Sequence, residues 1–220
     1  MRALVIGSSG GIGQAIVSEL ETRGWKAIGL SRTSDGLDIT DPVSIDTAFA
    51  RLGGTFDLIL IATGALISTI ARPEKSLRDV TPEELIAQYQ VNAIGPINVL
   101  KAARAFFPRD RRCVFAALSA RVGSISDNQL GGWHSYRASK AALNQLVKGA
   151  SIELSRTHAQ AIVVALHPGT VATPFTEAYA QSHDRTPPEV TAKTLLNVVE
   201  SLTPEATGSF FDYAGRVIPW

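Results

Sequence analysis

Five short apolar runs, "ALVIG", "KAIGLS", "FDLILIA", "CVFAAL" and "AIVVAL", recur along the chain and alternate with longer stretches of helical apolar spacing. Runs of this kind have no polar face to turn toward water, so each strand must be covered on both sides. The covering segments are "GQAIVSELETRG", which stops at Gly24, and helical stretches at about 42–52, 81–107, 135–156 and 187–202. The alternation predicts an α/β fold with a parallel sheet and helices on both faces. At 220 residues and 45% hydrophobic content the chain fills one such core. It is short of the length that calls for a second domain, so 1–220 is read as one domain. No repeat, charge block or low-complexity stretch suggests a linker, and "RTPPEV" reads as a helix entry.

Between the first strand and its helix stands "GSSGGIG", with Gly7, Gly11 and Gly13. Without side chains there, backbone N–H groups of Ser9, Gly11, Ile12 and Gly13 can approach a pyrophosphate, and the helix N-terminus adds partial positive charge. This placement predicts dinucleotide binding and makes the sheet a doubly wound, Rossmann-type one. The same letters fit the G-x-S-x-G elbow of a serine hydrolase, but that elbow needs an oxyanion loop from an earlier strand, and nothing lies upstream to supply it. After the second strand, an NAD site places an acidic residue on the ribose 2′-hydroxyl. Here the strand ends in Ser31 and Arg32, a neutral donor and a cation that suit a 2′-phosphate. NADP is therefore the expected cofactor, NAD the alternative, and a merely solvated Arg32 the competing reading. Five residues separate Arg32 from Asp38, too few for the usual crossover helix. Asp38 and Ile39 stand where they can meet the adenine, and Asp41 is placed to cap the helix starting near Pro42.

A formal charge of +1 with 19% charged residues offers no field for nucleic acid or an anionic membrane. Cys113, the only cysteine, sits in an apolar run and is expected to be a buried, inert thiol in a reducing compartment. The longest apolar stretch, "FDLILIATGALI", is too short and interrupted for a bilayer. The chain is expected to be cytoplasmic and without a leader. His134, His158, His167 and His183 lack metal-ligand spacing and a thiolate cluster, so no metal site is expected.

"HSYRASKAALN" sets Lys140 one helical turn after Tyr136, ~6 Å along the axis. At an effective dielectric near 20, an ammonium about 4 Å from a phenolate stabilises it by ~4 kcal/mol. That is about three pKa units, enough to bring a phenol from ~10 to near 7, where it exchanges protons at working pH. Asn92 is singled out by Pro96, which has no N–H for the carbonyl four residues back and so leaves the Asn92 carbonyl free. His134 and Trp133 either line a substrate cleft or simply pack.

The order of a GxxxGxG loop, an Asn in a long middle helix, then YxxxK resembles the short-chain dehydrogenase/reductase family across nearly the whole chain. "HPGTVATP" (167–174) matches that family's proline-glycine turn. "SARVGSISDNQLGGWHSYRASKAALN" and "FFDYAGRVIPW" resemble its branch of C-factor-like proteins and small carbonyl reductases. The resemblance implies hydride transfer between nicotinamide and a small carbonyl or secondary alcohol. It gives Tyr136 the acid/base role and has Lys140 lower its pKa and hold the nicotinamide ribose. It also implies a relay water on the Asn92 carbonyl, the nicotinamide end against Pro168, Gly169, Val171 and Thr173, and a homodimer or homotetramer built on the two long helices. Three departures stand out. The position of the family's catalytic serine is Ala120, with Ser119 or Ser124 as substitutes and Ser119 favoured. The asparagines beside the adenine ribose are absent, leaving Ala62, Thr63 and Gly64 there. Ile6 replaces a threonine before the first glycine. The missing serine keeps open a second class, a dinucleotide-binding sensor or signalling protein with little or no turnover. The segment from Phe175 to Pro188 is the expected lid over a small pocket.

Overall fold

All five apolar runs become strands, and a sixth joins them. The computed structural model describes residues 1–177 and 185–220. Along them run β1 (Arg2–Ile6), α1 (Gly11–Thr22), β2 (Lys26–Leu30), α2 (Arg32–Asp35), α3 (Pro42–Phe49), β3 (Leu58–Ile61) and α4 (Pro82–Tyr89). There follow α5 (Gly95–Ala103), β4 (Cys113–Leu118), α6 (His134–Ser155), β5 (Ala161–His167), α7 (Pro174–Glu177), α8 (Pro188–Ser201) and β6 (Phe210–Asp212).

The sheet order is β2-β1-β3-β4-β5-β6, parallel throughout. Val5 of β1 lies opposite Gly29 on one side and Leu60 on the other. The chain thus leaves β1 in one direction for β2 and returns past it to β3. That reversal opens a crevice beyond the carboxyl ends of β1 and β3. Strand periodicity sends alternate residues to opposite faces. On one face Val5, Leu60 and Val164 pack with Ile16 and Leu20 of α1 and Leu195 and Val199 of α8. On the other, Ile6, Ile61 and Phe115 pack with Phe49 of α3, Val99 of α5 and Leu143 and Val147 of α6. Each such buried side chain contributes ~1.5–3 kcal/mol.

One expectation changes in detail, and two short elements come in addition. The single helix at 81–107 is broken: Gln90–Ile94 form a π-helical turn in which Gly95 N–H reaches back to Gln90 O, directly before Pro96. Proline cannot donate within the ladder, and the backbone widens to compensate. The gap from Arg32 to Asp38 does hold a helix, the single turn α2. Leu37 and Ile39 then anchor the chain in the core, so α3 is the crossover and β2 remains the edge strand. β6 had no clear signal, being three residues long and followed at once by a turn.

Asp41 caps α3, accepting from Val43 N at 2.9 Å. Cys113 is buried, its thiol pushed up to about 11 chiefly by burial. Among the described residues no helix is long and apolar enough to cross a membrane. His183 and the middle of the expected lid, 178–184, lie outside the described residues.

Candidate functional site

The glycine loop closes tightly over the crevice. Gly7 has φ +89, and its N–H donates to Leu30 O at 2.8 Å. A Cβ on Gly7 would stand 2.9 Å from Thr63 Cγ2, and one on Gly13 would collide with Gly7 O. Larger residues would force the loop off the sheet. The N-cap of α1 is Gly10, which has no side chain to satisfy the first N–H groups, Gly11, Ile12 and Gly13 among them. Ser9 is exposed beside them. Thr63 Oγ1 is buried without a hydrogen-bond partner among the described residues. Uncapped N–H groups, partial positive charge and an orphaned hydroxyl at one switch point fit the phosphates and ribose of a dinucleotide. Thr173 closes the other side, its Cγ2 being 2.8 Å from where a Gly11 Cβ would stand.

At the end of β2, Ser31 caps α2 by accepting from Ser34 N at 3.1 Å, while Asp35 Oδ2 accepts from Ser31 N at 2.8 Å. This turn fixes Ser31 in a buried position and leaves Arg32 exposed, with no ion-pair partner among the described residues. Asp38 Oδ1 accepts from Thr40 N and Oγ1 at 2.8 and 2.7 Å. These bonds lower its pKa, so it stays a carboxylate. Ile39 next to it is buried against Gly95.

The middle of the site is built where α6 crosses the ends of β3 and β4. Tyr136 and Lys140 share one buried face of α6, 7% and 3% exposed. Gly123 permits this approach, since a Cβ there would stand 2.7 Å from Lys140 Cβ. Lys140 Nζ donates to Leu118 O at 2.9 Å and lies 5.8 Å from the centre of the Tyr136 ring. A Cβ on Gly64 would stand 3.3 Å from Asn92 Oδ1 and 3.5 Å from Lys140 Nζ, so these three predicted positions meet. Ala62 and Thr63 lead into them from β3, where Ala62 N donates to Ile6 O at 2.8 Å. The ring of Tyr136 is flanked by Trp133 at 6.3 Å and Phe175 at 6.2 Å. Val171, Gly169 and Pro168 follow β5 at the same edge, and Gly169, with φ +79, turns against the Tyr213 ring.

One expectation is corrected. Burial, not the lysine, governs the phenol: it raises the Tyr136 pKa well above the ordinary value. Burial also lowers Lys140 to about 7. Both shifts favour the uncharged forms, because burial takes each group out of water. Ser119, the favoured stand-in for the serine missing at 120, gives its proton to Asn144 Oδ1 at 2.7 Å and ties β4 to α6. Ser124 donates to Pro219 O and holds the C-terminal residues. Neither hydroxyl proton is aimed at Tyr136.

Sequence reasoning missed the supports beneath the site. Glu84, Gln88 and Asn92 lie on successive turns, all buried. Glu84 accepts from Gln88 Nε2 at 2.8 Å, Gln88 Oε1 accepts from Asn92 Nδ2 at 2.6 Å, and Asn92 Nδ2 also faces Ser139 Oγ at 3.1 Å. The Asn92 amide further pairs with both backbone groups of Ala65, at 2.9 and 2.7 Å. Polar residues at every fourth position, Glu84, Gln88 and Asn92, stack on one helical face, and that spacing was the available signal. Glu74, 2% exposed, accepts from Ser135 N at 3.2 Å and from Ser135 Oγ, and its own carbonyl accepts from Trp133 N at 2.6 Å. It caps α6 from a distant loop and sets the first turn on which Tyr136 stands. Trp133 itself is left-handed, φ 50, after two left-handed glycines.

The edge of the sheet so assembled is the equipment of a dinucleotide-dependent oxidoreductase. A family model described as Enoyl-(Acyl carrier protein) reductase matches residues 6–209. The chain belongs to the short-chain dehydrogenase/reductase family, whose members use nicotinamide cofactors. It is 29% identical over 233 residues to 1-hydroxy-2-glutathionyl-2-methyl-3-butene dehydrogenase of Rhodococcus sp. (strain AD45), covering 99% of this chain and 98% of that protein. It is 34% identical over 145 residues to C-signal of Myxococcus xanthus, covering 66% of this chain and 84% of that one. A Burkholderia multivorans chain crystallised with bound NADP superposes with a TM-score of 0.86 at 26% identity, over 100% of this chain and 99% of the other.

Proposed function

We propose that this oxidoreductase is an NADPH-dependent reductase of small carbonyl compounds, with the secondary alcohol as product and Tyr136 as proton donor. The observation that carries the reading is the meeting of buried Tyr136, Lys140 and Asn92 with the exposed backbone of Gly64, beside the glycine cradle. When bound, the nicotinamide supplies the hydride.

The chain's own residues account for the proton. A phenol held protonated by burial is an acid, the form needed to meet an alkoxide as it develops. Once Tyr136 has given up its proton, Lys140, poised near 7 beside it, can carry the compensating charge. Asn92 fixes the loop at Gly64 and Ala65 through its paired amide bonds, so the wall beside Lys140 does not shift. With Ala120 where a hydroxyl would polarise the carbonyl, that task falls to Tyr136 alone. Trp133 and Phe175 form the apolar sides of the pocket and keep water from the phenol. Thr173 and Val171 take the carboxamide end, with Pro168 and Gly169 beneath.

The unpaired Arg32 at the end of β2, with Ser31 beside it, favours NADP over NAD. The likeness to the glutathionyl-alcohol dehydrogenase and to the NADP-bound chain points the same way as to reaction class and cofactor. The exposed Ile86, Tyr89 and Ile152 on α4 and α6 suit a homodimer or homotetramer across these helices. The single buried thiol suits the cytoplasm. A sensor role remains the second reading, favoured by the committed Ser119 proton and the likeness to C-signal. Following NADPH absorbance across a panel of aldehydes, ketones and quinones separates the two. Turnover that disappears in Tyr136→Phe supports the reductase, and tight NADPH binding with no turnover on any carbonyl refutes it.

A further inference from the structure

Past the proline-glycine turn, the carboxyl ends of β4, β5 and β6 surround a second cavity, about 340 Å³. Its walls include Arg121, His167, Thr170, Thr186, Arg216 and Asp212. Asp212 is only 1% exposed, and its oxygens are spent within the protein. Oδ1 accepts from Ala214 N at 2.9 Å and Arg216 N at 3.0 Å, and Oδ2 accepts from Arg216 Nε at 2.9 Å. Arg121 Nη2 stands 3.6 Å from Oδ2. Asp212 therefore aligns two guanidinium groups and has little capacity left to receive anything from a ligand. Asp127 takes Arg121 Nη1 at 3.1 Å, on the exposed side.

Donors remain in surplus. Arg216 uses Nε and keeps both terminal nitrogens without a partner among the described residues, and Arg121 keeps Nε. The hydroxyls of Thr170 and Thr186 have no side-chain bond among the described residues either, although their backbones pair with each other. His167 Nδ1 is buried and unpartnered there. Burial, with Arg121 beside it, holds the imidazole at about 4, so it is neutral and offers a hydrogen bond without charge. A polar cavity with two forked cations, one internal anion already satisfied and an orphaned ring nitrogen lacks one thing, an external acceptor with two oxygens.

We propose that this cavity is a subsite for a carboxylate carried by the substrate. Gly169 belongs both to the cavity wall and to the turn that follows β5, two residues before Val171, which the proposed function sets against the nicotinamide. Arg121 leaves the end of β4 three residues after Leu118, whose carbonyl receives Lys140. A rigid fork on a carboxylate orients it in two directions, which a lone lysine does not do. The inference rests on the reductase reading above and adds to it a preference for acidic carbonyl substrates.

The test compares an aldehyde- or keto-acid with its methyl ester on the full chain loaded with NADPH. The acid is expected to be turned over with the higher kcat/KM. Arg216→Gln, on a side chain 70% exposed that can be changed without opening the core, is expected to lower the acid-to-ester ratio on the order of tenfold to a hundredfold. A ratio near one in the unsubstituted protein, or unchanged by the substitution, overturns the subsite while leaving turnover, and so the reductase reading, intact. Calorimetry with benzoate gives a readout that needs no turnover: binding weakened by Arg216→Gln supports the subsite and no binding overturns it. Inorganic phosphate binding there as tightly, with no change in acid-to-ester selectivity, assigns the cavity to a free anion and also overturns the proposal.

Discussion

Lys140 Nζ stands 5.8 Å from the centre of the Tyr136 ring and spends a hydrogen bond on Leu118 O, 2.9 Å away, on the neighbouring strand. The amine is thus held by the sheet and not by the phenol. The two groups are neighbours in one desolvated space, each driven toward its neutral form. In the proposed reaction, a proton donor that stays protonated until an alkoxide appears needs no prior ionisation.

Tyr136→Phe removes the proposed proton source and little else, because the ring contacts to Trp133 and Phe175 survive. Turnover is expected to fall by about 10²–10⁴, with NADPH affinity nearly unchanged. Steady-state rates beside fluorescence titration of NADPH measure both. Full activity in the variant would mean that another group supplies the proton.

The buried amine makes stability depend on pH in a definite direction. Below about 7 Lys140 is protonated in both states, and the folded protein bears the full cost of the buried charge. Between about 7 and its ordinary 10.5, the unfolded chain keeps the proton that the folded one has released, so stability rises with pH. Above the ordinary tyrosine value of 10.0, Tyr136 acts oppositely, since only the unfolded chain ionises there. Lys140→Met is therefore expected to be the more stable protein near neutrality, with its advantage shrinking toward about pH 10. Urea unfolding across that range without cofactor checks it, and parallel pH profiles for the two proteins contradict it.

Ser119→Ala breaks a buried bond and leaves Asn144 Oδ1 without its donor. A loss of about 1–3 kcal/mol in stability is expected, without the ~10²–10³ drop in kcat that follows loss of an oxyanion donor. Ala120→Ser is the complementary variant, expected to raise kcat by offering a hydroxyl at the vacant family position. A hundredfold loss of kcat in Ser119→Ala would return Ser119 to the chemistry.

Arg32→Ala removes an exposed cation that makes no close ion pair among the described residues and only a minor electrostatic contact with Asp38, so folding is expected to be little affected. KM for NADPH is expected to rise on the order of tenfold or more, with NADH little changed. Kinetics with both cofactors decide it. Equal effects on the two would remove Arg32 from 2′-phosphate recognition.

The sequence by itself determined the parts whose signals are local. Apolar runs named five strands, glycines marked the loop after β1, and spacing put Tyr136 and Lys140 on one helical face, because backbone geometry and periodicity act within a few residues. Pro96 marked the Asn92 carbonyl as losing its usual partner, but the break into a π-helical turn at Gln90–Ile94 was not expected within the helix at 81–107. Only the tertiary structure decided what those side chains meet. It gave the Ser119 proton to Asn144, brought Glu74 to cap α6 across a long stretch of chain, and joined the Asn92 amide to the backbone of Ala65. It also reversed the expected direction of the Tyr136 shift. Hydrogen-bond partners and dielectric surroundings are set by residues far apart in sequence, and the free energy of a charge depends on that assembled environment more than on its nearest neighbour along the helix.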